Sequence, residues 1–269
     1  MDARQEKIAA LERQGMFDCD IEDDPPSREI KPDEIEYLKK TAWQRLKRRL
    51  AYFLAYRYAA REKRKKRFLI KDIIGAEHLN IPGGVMMTAN HFSPLDSFIL
   101  HRTFDVSERG GVFYRIIREG NYTSFPGFYG FMMRNCDTLP LSSNAATMRK
   151  FLRAVNGALT EGNCVLIYPE GSMWYNYKKP KPLKLGAFEM AVKANVPIVP
   201  CFITMQDSPY VGEDGTAVQE HTVHVGEAIY PDGSLPKRER AEKMRDANFA
   251  FNKSIYERVY GIGLRYECE

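Results

Sequence analysis

Short apolar runs alternate with longer amphipathic segments along most of the chain. Seven of these runs have the length and the apolar content that buried strands require. They cover residues 68–75, 85–89, 111–117, 137–141, 165–168, 198–204 and 221–225. Apolar residues at three- and four-residue steps predict helices over 125–133, 144–159, 185–193 and 237–259. The alternation predicts an α/β fold with a mixed, largely parallel sheet flanked by helices.

The first quarter of the chain has a different pattern. Residues 1–30 mix both charges with Asp23-Asp24-Pro25-Pro26 and predict a short helix and a loose acidic leader. Residues 31–67 predict a basic amphipathic helix or helix pair, running from about Pro32 to Lys66, because apolar residues recur there at helical steps with aromatic residues between them. Residues 68–269 then form one domain that ends in a helix.

Charge is concentrated in this second segment. Between Lys39 and Arg67 there are thirteen basic residues and one acid, Glu62, although the whole chain carries a net charge of only +5. Basic helices with an aromatic-rich apolar side are typical of segments that lie on anionic membranes. A solvated cationic face is the alternative interpretation, and contact with nucleic acid is a weaker one because no recognition motif accompanies the basic run. We therefore expect an anionic membrane surface as partner and no nucleic acid.

Composition narrows the class of protein further. A chain of 269 residues with 44% hydrophobic content can build one large α/β domain. The five cysteines are odd in number, widely spaced and never in a Cys-x-x-Cys pair, which argues against a disulfide framework or a zinc site and favours the cytoplasm. We expect no signal peptide, and no run reaches the roughly 18 apolar residues that span a bilayer. These features predict peripheral attachment to the cytoplasmic face of a membrane.

His221 and His224 are the one pair of histidines at a metal-like spacing. In a strand, residues three apart point to opposite faces, so this spacing predicts surface histidines and no metal site.

The main candidate for chemistry follows the predicted strand 85–89. In Asn90-His91-Phe92-Ser93-Pro94-Leu95-Asp96, the pair Ser93-Pro94 predicts the cap and first residue of a helix, with His91 on the preceding loop. Asp96 would then fold back and hold one ring nitrogen of His91, which suits a general base with its orienting acid. Ser93 and Asp96 also fit a capping box, in which the carboxylate accepts only a backbone N–H. Both roles of Asp96 remain open.

Two later strands end in a similar way. Tyr168-Pro169-Glu170-Gly171-Ser172 closes one apolar run, and the run Val196-Pro197-Ile198-Val199-Pro200 lies further along. The carboxyl ends of parallel strands share one edge of a sheet, so we expect these motifs to converge with His91. Glu170 fits either a contact to substrate or a role in the turn. Gly171 is typical of a positive φ or of a close backbone approach.

At these motifs the sequence resembles the glycerolipid acyltransferases, typified by bacterial 1-acylglycerol-3-phosphate (lysophosphatidate) acyltransferases. The first family motif is matched by Asn90-His91-x-Ser93-x-x-Asp96, and the third and fourth by the two segments above, over about residues 68–235. The resemblance implies transfer of a fatty acyl group from acyl-CoA or acyl carrier protein to a lysophospholipid hydroxyl, without cofactor, metal or acyl-enzyme. His91 and Asp96 would be catalytic, with Glu170, Gly171 and Ser172 binding substrate.

The chain departs from the family where arginines are thought to hold the acceptor's phosphate. Ser142 or Ser143 takes the place of the arginine of the second motif, and Met173 that of the arginine of the third. Neither residue type binds phosphate as a guanidinium does. The candidates to supply the missing charge are Arg118, Arg134 and Lys184. An acceptor without a phosphomonoester is equally compatible with these residues.

Several alternatives remain open. The missing arginines are compatible with a membrane-bound protein that binds lipid or acyl thioester without turnover, and the His91–Asp96 pair is compatible with an acyl thioester hydrolase. No Gly-x-Ser-x-Gly elbow supports a serine hydrolase. The basic residues of 178–184 fit either the phosphates of coenzyme A or a solvated loop. The aromatic and Met side chains of 122–133 fit an acyl groove or ordinary core.

Overall fold

The computed structural model describes residues 3–21, 27–38, 41–212 and 215–268, and these contain a seven-stranded sheet. Its strands are β1 Leu69–Ile74, β2 Val85–Thr88, β3 Phe113–Ile117, β4 Thr138–Pro140, β5 Cys164–Ile167, β6 Ile198–Val211 and β7 Ala217–Val225. The spatial order is β1-β7-β6-β2-β5-β3-β4. Only the β6–β7 pair is antiparallel within this sheet of described residues. The predicted mixed, largely parallel sheet is confirmed.

Helices cover both faces of the sheet. They are α1 Ala3–Arg13, α2 Ala42–Arg64, α3 Asp96–Val106, α4 Glu119–Thr123, α5 Gly127–Asn135, α6 Ala145–Thr160, α7 Gly186–Ala194 and α8 Lys237–Tyr260. Met86 of β2 packs into the layer formed with α6, α7 and α8, whereas its neighbour Met87 packs into the layer formed with α3. Successive residues of a strand point to opposite faces, so a strand covered on both sides is apolar throughout. This explains the continuous apolar runs in the sequence.

Strands β6 and β7 are longer than predicted and form an extended hairpin. The sequence pattern ends β6 at Thr204, but pairing with β7 continues to Val211. His221 and His224 lie on β7, and both are buried, so their assignment to the surface is wrong. The reason is that other side chains cover the two rings, since His221 stacks on Phe92 with ring centroids 5.1 Å apart and His224 Nε2 lies 3.1 Å from Thr204 Oγ1. Burial lowers the pKa of both imidazoles.

The N-terminal residues pack on the domain. The predicted short helix is α1, and Ile8, Ile21 and Ile30 are buried, so the described part of the leader is not loose. The stretch Asp23 to Pro26 lies outside the described residues.

A single basic helix follows, and it begins later than the predicted Pro32. Thr41 and Gln44 form a capping box that starts α2 at Ala42, with Gln44 N donating to Thr41 Oγ1 at 3.2 Å and Thr41 N donating to Gln44 Oε1 at 3.0 Å. Residues 31–38 form turns and bends, and Ile35 and Tyr37 among them are buried in the core. Within the described ranges, no helix combines the length and the hydropathy needed to cross a bilayer.

Candidate active site

Strands β2 and β5 end side by side, and the loops that follow them carry the motifs. Thr88, the last residue of β2, is paired with Ile167 of β5 and with Pro200 of β6. His91 and Glu170 therefore leave the same edge of the sheet, and the predicted convergence is confirmed for these two motifs. The run Val196–Pro200 leads into β6 beside β2, and β6 continues past this edge to Val211.

Asn90 fixes the loop immediately before His91. Its side-chain amide donates to the carbonyl of Ile203 at 3.0 Å and accepts from the N–H of the same residue at 2.8 Å. These two bonds replace main-chain pairing just beyond the end of β2. This role of Asn90 does not follow from the sequence pattern, because its partner Ile203 lies 113 positions away along the chain.

Asp96 holds the imidazole of His91. The distance from His91 Nδ1 to Asp96 Oδ2 is 2.6 Å, and the carboxylate is buried. The same oxygen accepts the backbone N–H groups of Phe92 at 3.3 Å and Ser93 at 3.4 Å. The carboxylate thus orients the imidazole and also accepts the N–H of Ser93, but no capping box forms, because Ser93 is not the cap of the helix.

The predicted start of the following helix is wrong by two residues. Helix α3 begins at Asp96, and Ser93 Oγ instead accepts the N–H of Leu95 at 3.2 Å in a turn. This turn brings the carboxylate of Asp96 back to the ring of His91.

Tyr168 completes the support of this pair. Its hydroxyl donates to Asp96 Oδ1 at 2.7 Å, and its ring stacks on that of His91 with centroids 4.1 Å apart and an interplanar angle of 16°. Burial and the nearby charge of Asp96 raise the pKa of Tyr168 well above its ordinary value, so the phenol stays a neutral donor. From the sequence, Tyr168 was noted only as part of a motif, and its role in holding Asp96 was not predicted. Its position at the end of an apolar strand was the one feature that pointed to the site.

The other edge of the His91 ring is open to solvent. The side chain is 27% exposed, and no group in the described part of the chain hydrogen-bonds Nε2. Because the carboxylate of Asp96 keeps the proton on Nδ1, Nε2 presents its lone pair outward. This geometry allows Nε2 to accept a proton from a hydroxyl group.

Glu170 joins two loops beneath the site. It is buried, its Oε2 accepts the backbone N–H of His91 at 3.2 Å, and its Oε1 accepts that of Lys181 at 3.1 Å. The ammonium of Lys181 lies 3.7 Å from Oε2 and is itself buried. Burial raises the pKa of Glu170 and lowers the pKa of Lys181 to about 8. The attraction between the two charges acts in the opposite direction on both pKa values, but burial has the larger effect. The pair organises the turn that carries His91.

Gly171 and Ser172 extend this support. Gly171 has a φ of +79°, so the turn requires glycine, whereas the side-chain end of Lys184, 2.7 Å from where a Cβ would lie, could move aside. Ser172 is fully buried; its Oγ donates to the carbonyl of Phe17 and accepts from Lys181, each at 2.6 Å.

Two of the three basic candidates lie beside this turn. Arg118 donates to the Gly171 carbonyl at 3.0 Å and pairs with Asp20, and Lys184 Nζ lies 3.4 Å from Asp18 Oδ2. Arg134 is placed differently, because it donates to the main-chain carbonyls that precede α5, those of Tyr122 at 3.1 Å and Phe125 at 3.4 Å.

The residues that replace the family's arginines have structural partners. Ser142 and Ser143 donate through their hydroxyl groups to the two oxygens of Glu119 at 2.7 and 2.8 Å. The backbone N–H of Met173 donates to Asp20 at 3.3 Å.

Across the ranges that the structure describes, His, Cys, Asp and Glu side chains form no group of three or more that could hold a metal ion.

The fold and the His–Asp pair at the sheet edge define a protein of the α/β acyltransferase class. Residues 71–204 match the family described as Acyltransferase, and the chain belongs to that family. It is 30% identical over 120 residues to an acyltransferase of Schizosaccharomyces pombe, a match that covers 44% of this chain and 41% of that protein. The chain thus spans about two fifths of the length of that curated relative.

A solved structure shares the fold. The crystal structure of the 1-acyl-sn-glycerophosphate (LPA) acyltransferase PlsC from Thermotoga maritima superimposes with a TM-score of 0.50 at 19% sequence identity. The match covers 83% of this chain and 98% of that one.

Proposed function

We propose that this protein transfers a fatty acyl group from a thioester, carried by coenzyme A or acyl carrier protein, to the hydroxyl of a lysophospholipid. The observation that carries the proposal is the 2.6 Å contact between His91 Nδ1 and Asp96, with Nε2 left open to solvent. A general base so placed contributes about 10²–10⁴-fold to rate.

The reaction follows from the two ring nitrogens. The acceptor hydroxyl donates a hydrogen bond to His91 Nε2, which takes the proton as the oxygen attacks the thioester carbonyl. The tetrahedral intermediate then expels the thiolate, and the imidazolium returns the proton to the sulfur. Asp96 stays ionised, keeps the tautomer and stabilises the imidazolium.

The remaining site residues have supporting or binding roles in this proposal. Glu170 and Ser172 position the loop of His91, since their polar atoms are occupied by groups of the protein itself. Arg118 and Lys184 are the proposed contacts to an acidic acceptor headgroup. Both lie at the Gly171 turn, where carboxylates of the N-terminal segment already attract them. Arg134 shapes the loop before α5.

Helix α2 supports access to a lipid substrate. Trp43, Leu46, Leu50 and Phe53 recur at helical steps, and each is at least 50% exposed. A stripe of this kind on a strongly basic helix matches the interfacial helices that bury their apolar side between lipid headgroups. We propose that α2 places the protein peripherally on an anionic membrane.

The test is a product analysis with purified protein. Labelled acyl-CoA and acyl carrier protein are each supplied with a panel of lysophospholipids with different headgroups. Diacyl lipid that forms with the wild type and disappears in His91→Ala supports the proposal, with His78→Ala as a control that leaves the site intact. Free fatty acid alone indicates a hydrolase, and binding without product indicates a lipid-binding protein; either result overturns the proposal.

A further inference from the structure

A groove opens between the second half of α2, helix α5 and strands β1 and β6. Its cavity volume is about 1230 Å³, larger than the pockets of roughly 300–1,000 Å³ that hold most small ligands. Its basic lining consists of Arg57, Arg61, Lys63, Arg64 and Lys66. None of these residues belongs to the His91 site.

None of the described residues that line the groove is acidic. Arg57, Arg61 and Arg64 follow each other at steps of four and three residues, so they share one face of α2 and repel each other. Arg61, Lys63 and Arg64 have no acidic partner within the described residues. Glu62, the one acid of the basic segment, is buried and paired with Arg67 at 2.9 Å. A bound anion would relieve this repulsion.

Aromatic rings line the same groove. The ring of Tyr58 packs against those of Phe128 and Tyr129 with centroids 5.9 and 5.7 Å apart. At the other end, Lys66 Nζ lies 3.4 Å from the ring centroid of Tyr210. Rings beside guanidinium groups are suited to stack a planar heterocycle while the cations hold phosphates. The lining therefore fits a phosphorylated nucleoside better than a phosphate group alone.

Helix α3 connects the groove to the catalytic pair. Tyr58 also packs on Phe98, with ring centroids 5.9 Å apart, and Phe98 lies two residues after Asp96 in α3. Residues two apart on a helix do not face each other, so α3 stands between the groove and Asp96. A ligand anchored in the groove therefore needs a long flexible arm that passes α3 to reach His91.

We propose that this groove binds the phosphorylated adenosine end of a coenzyme A thioester, so that the pantetheine arm carries the acyl group towards His91. The inference rests on the proposed function and selects coenzyme A over acyl carrier protein as the donor. The carrier's prosthetic arm has a phosphodiester but no adenosine. Membrane lipids share the phosphate chemistry of coenzyme A but also lack the base.

The experiment is a binding titration of the full chain with coenzyme A, 3′-dephospho-coenzyme A and 4′-phosphopantetheine. Arg61→Glu/Arg64→Glu is compared with Lys47→Glu/Arg49→Glu, a double charge reversal on the same helix outside the groove. We expect coenzyme A to bind the wild type, the groove variant to weaken this binding at least tenfold, and the control variant to change it less than twofold. The dephospho and pantetheine probes should bind progressively more weakly than coenzyme A.

Three results would overturn the assignment. The first is that coenzyme A does not bind the wild type. The second is that both double variants lose the same amount of coenzyme A affinity. The third is that the groove variant keeps its coenzyme A affinity and loses only its binding to anionic vesicles, which would mark a lipid headgroup site. The proposed function is tested separately. Acyl transfer from the carrier protein without coenzyme A binding refutes the groove assignment alone, whereas coenzyme A binding without lipid product refutes the acyl transfer alone.

Discussion

At the residue scale, the reactivity of His91 depends on how completely Asp96 is held. Its two oxygens accept hydrogen bonds from the imidazole, from two backbone N–H groups and from the phenol of Tyr168. Bonds to a charged group contribute about 1.5–3 kcal/mol each. The carboxylate is therefore fixed in one orientation, and the ring that it holds is fixed with it.

Replacing Tyr168 by Phe tests this support. The variant keeps the ring that stacks on His91 but leaves Asp96 Oδ1 without its donor. We expect kcat for acyl transfer to fall about tenfold with little change in KM, because one charge-assisted bond of about 1.5 kcal/mol or more is lost at a group that does not touch substrate. Steady-state kinetics check this, with Tyr230→Phe on the surface as control. An unchanged kcat would remove Tyr168 from the positioning network.

The buried pair of Glu170 and Lys181 gives a second prediction. In Glu170→Gln the ammonium of Lys181 stays buried without its counter-charge, which costs about 3–5 kcal/mol in comparable pairs. Urea unfolding should show this loss in the single variant. Glu170→Gln/Lys181→Met should recover much of it, because no buried charge is then left unpaired. Additive losses in the double variant would show that the two residues do not act as a pair.

At the scale of elements, α2 is attached to the domain through polar contacts and through the packing of Tyr58 on rings of α3 and α5. Arg48 and the hydroxyl of Tyr52 bind Asp137 at 2.6 and 2.9 Å, and Tyr56 OH lies 2.7 Å from His101 Nε2. The sequence pattern predicted the helix but not its orientation. Its largest apolar side chains face solvent, and only Ala51, Ala55 and Glu62 of the helix are buried. The spacing of apolar residues shows that one face of a helix is apolar, but it does not show whether that face packs on the protein or is exposed.

This attachment should weaken in acid. Burial, with the charges of Arg115 and Arg48, lowers the pKa of His101 from 6.5 to about 3. The unfolded chain therefore binds more protons between these values, so stability is full above about pH 6.5 and falls as the pH drops towards 3. Through this group, the free energy of unfolding changes by up to about 1.4 kcal/mol per pH unit. Urea unfolding from pH 4 to 7 should show that the free energy of unfolding depends less on pH in His101→Asn than in the wild type. An equal pH dependence in the two proteins would contradict this role of His101.

The outward stripe of α2 gives a prediction for membrane binding. Leu50→Ser/Phe53→Ser should reduce co-sedimentation with anionic vesicles at least tenfold, because each side chain contributes about 1.5–3 kcal/mol when it leaves water. Tyr230→Ser/Ile262→Ser is the matched control, since these two side chains are similarly exposed outside the helix. Thermal unfolding should be almost unchanged in both variants. Equal sedimentation of the two would rule out α2 as the docking surface.

At the scale of the whole molecule, the N-terminal segment is part of the site's surroundings. Trp174 donates to the carbonyl of Cys19 at 2.7 Å, and its buried ring stacks on Phe17 with centroids 5.7 Å apart. Asp18 and Asp20 of the same segment hold Lys184 and Arg118. The acidic residues of this segment therefore lie beside the basic side chains that are proposed to contact the acceptor.

The sequence predicted the sheet, most strand positions and the His91–Asp96 pair, because these depend on periodicity and on neighbours along the chain. The contributions of Asn90 and Lys181 were missed, since each depends on a partner that only the folded sheet or turn brings near. The burial of His221 and His224 was missed because it depends on contacts with Phe92 and Thr204, which are distant along the chain. The attachment of the leader was missed because acidic, proline-containing composition is typical of disorder.

The most direct test of the central claim is a double-mutant cycle on acyl transfer with His91→Ala, Asp96→Asn and the combined variant. If His91 is the general base and Asp96 acts through it, His91→Ala should lower kcat by about 10²–10⁴-fold, and adding Asp96→Asn should lower it no further. A His91→Ala variant that keeps its kcat within tenfold of the wild type, or losses in the two single variants that multiply in the double, would contradict the account.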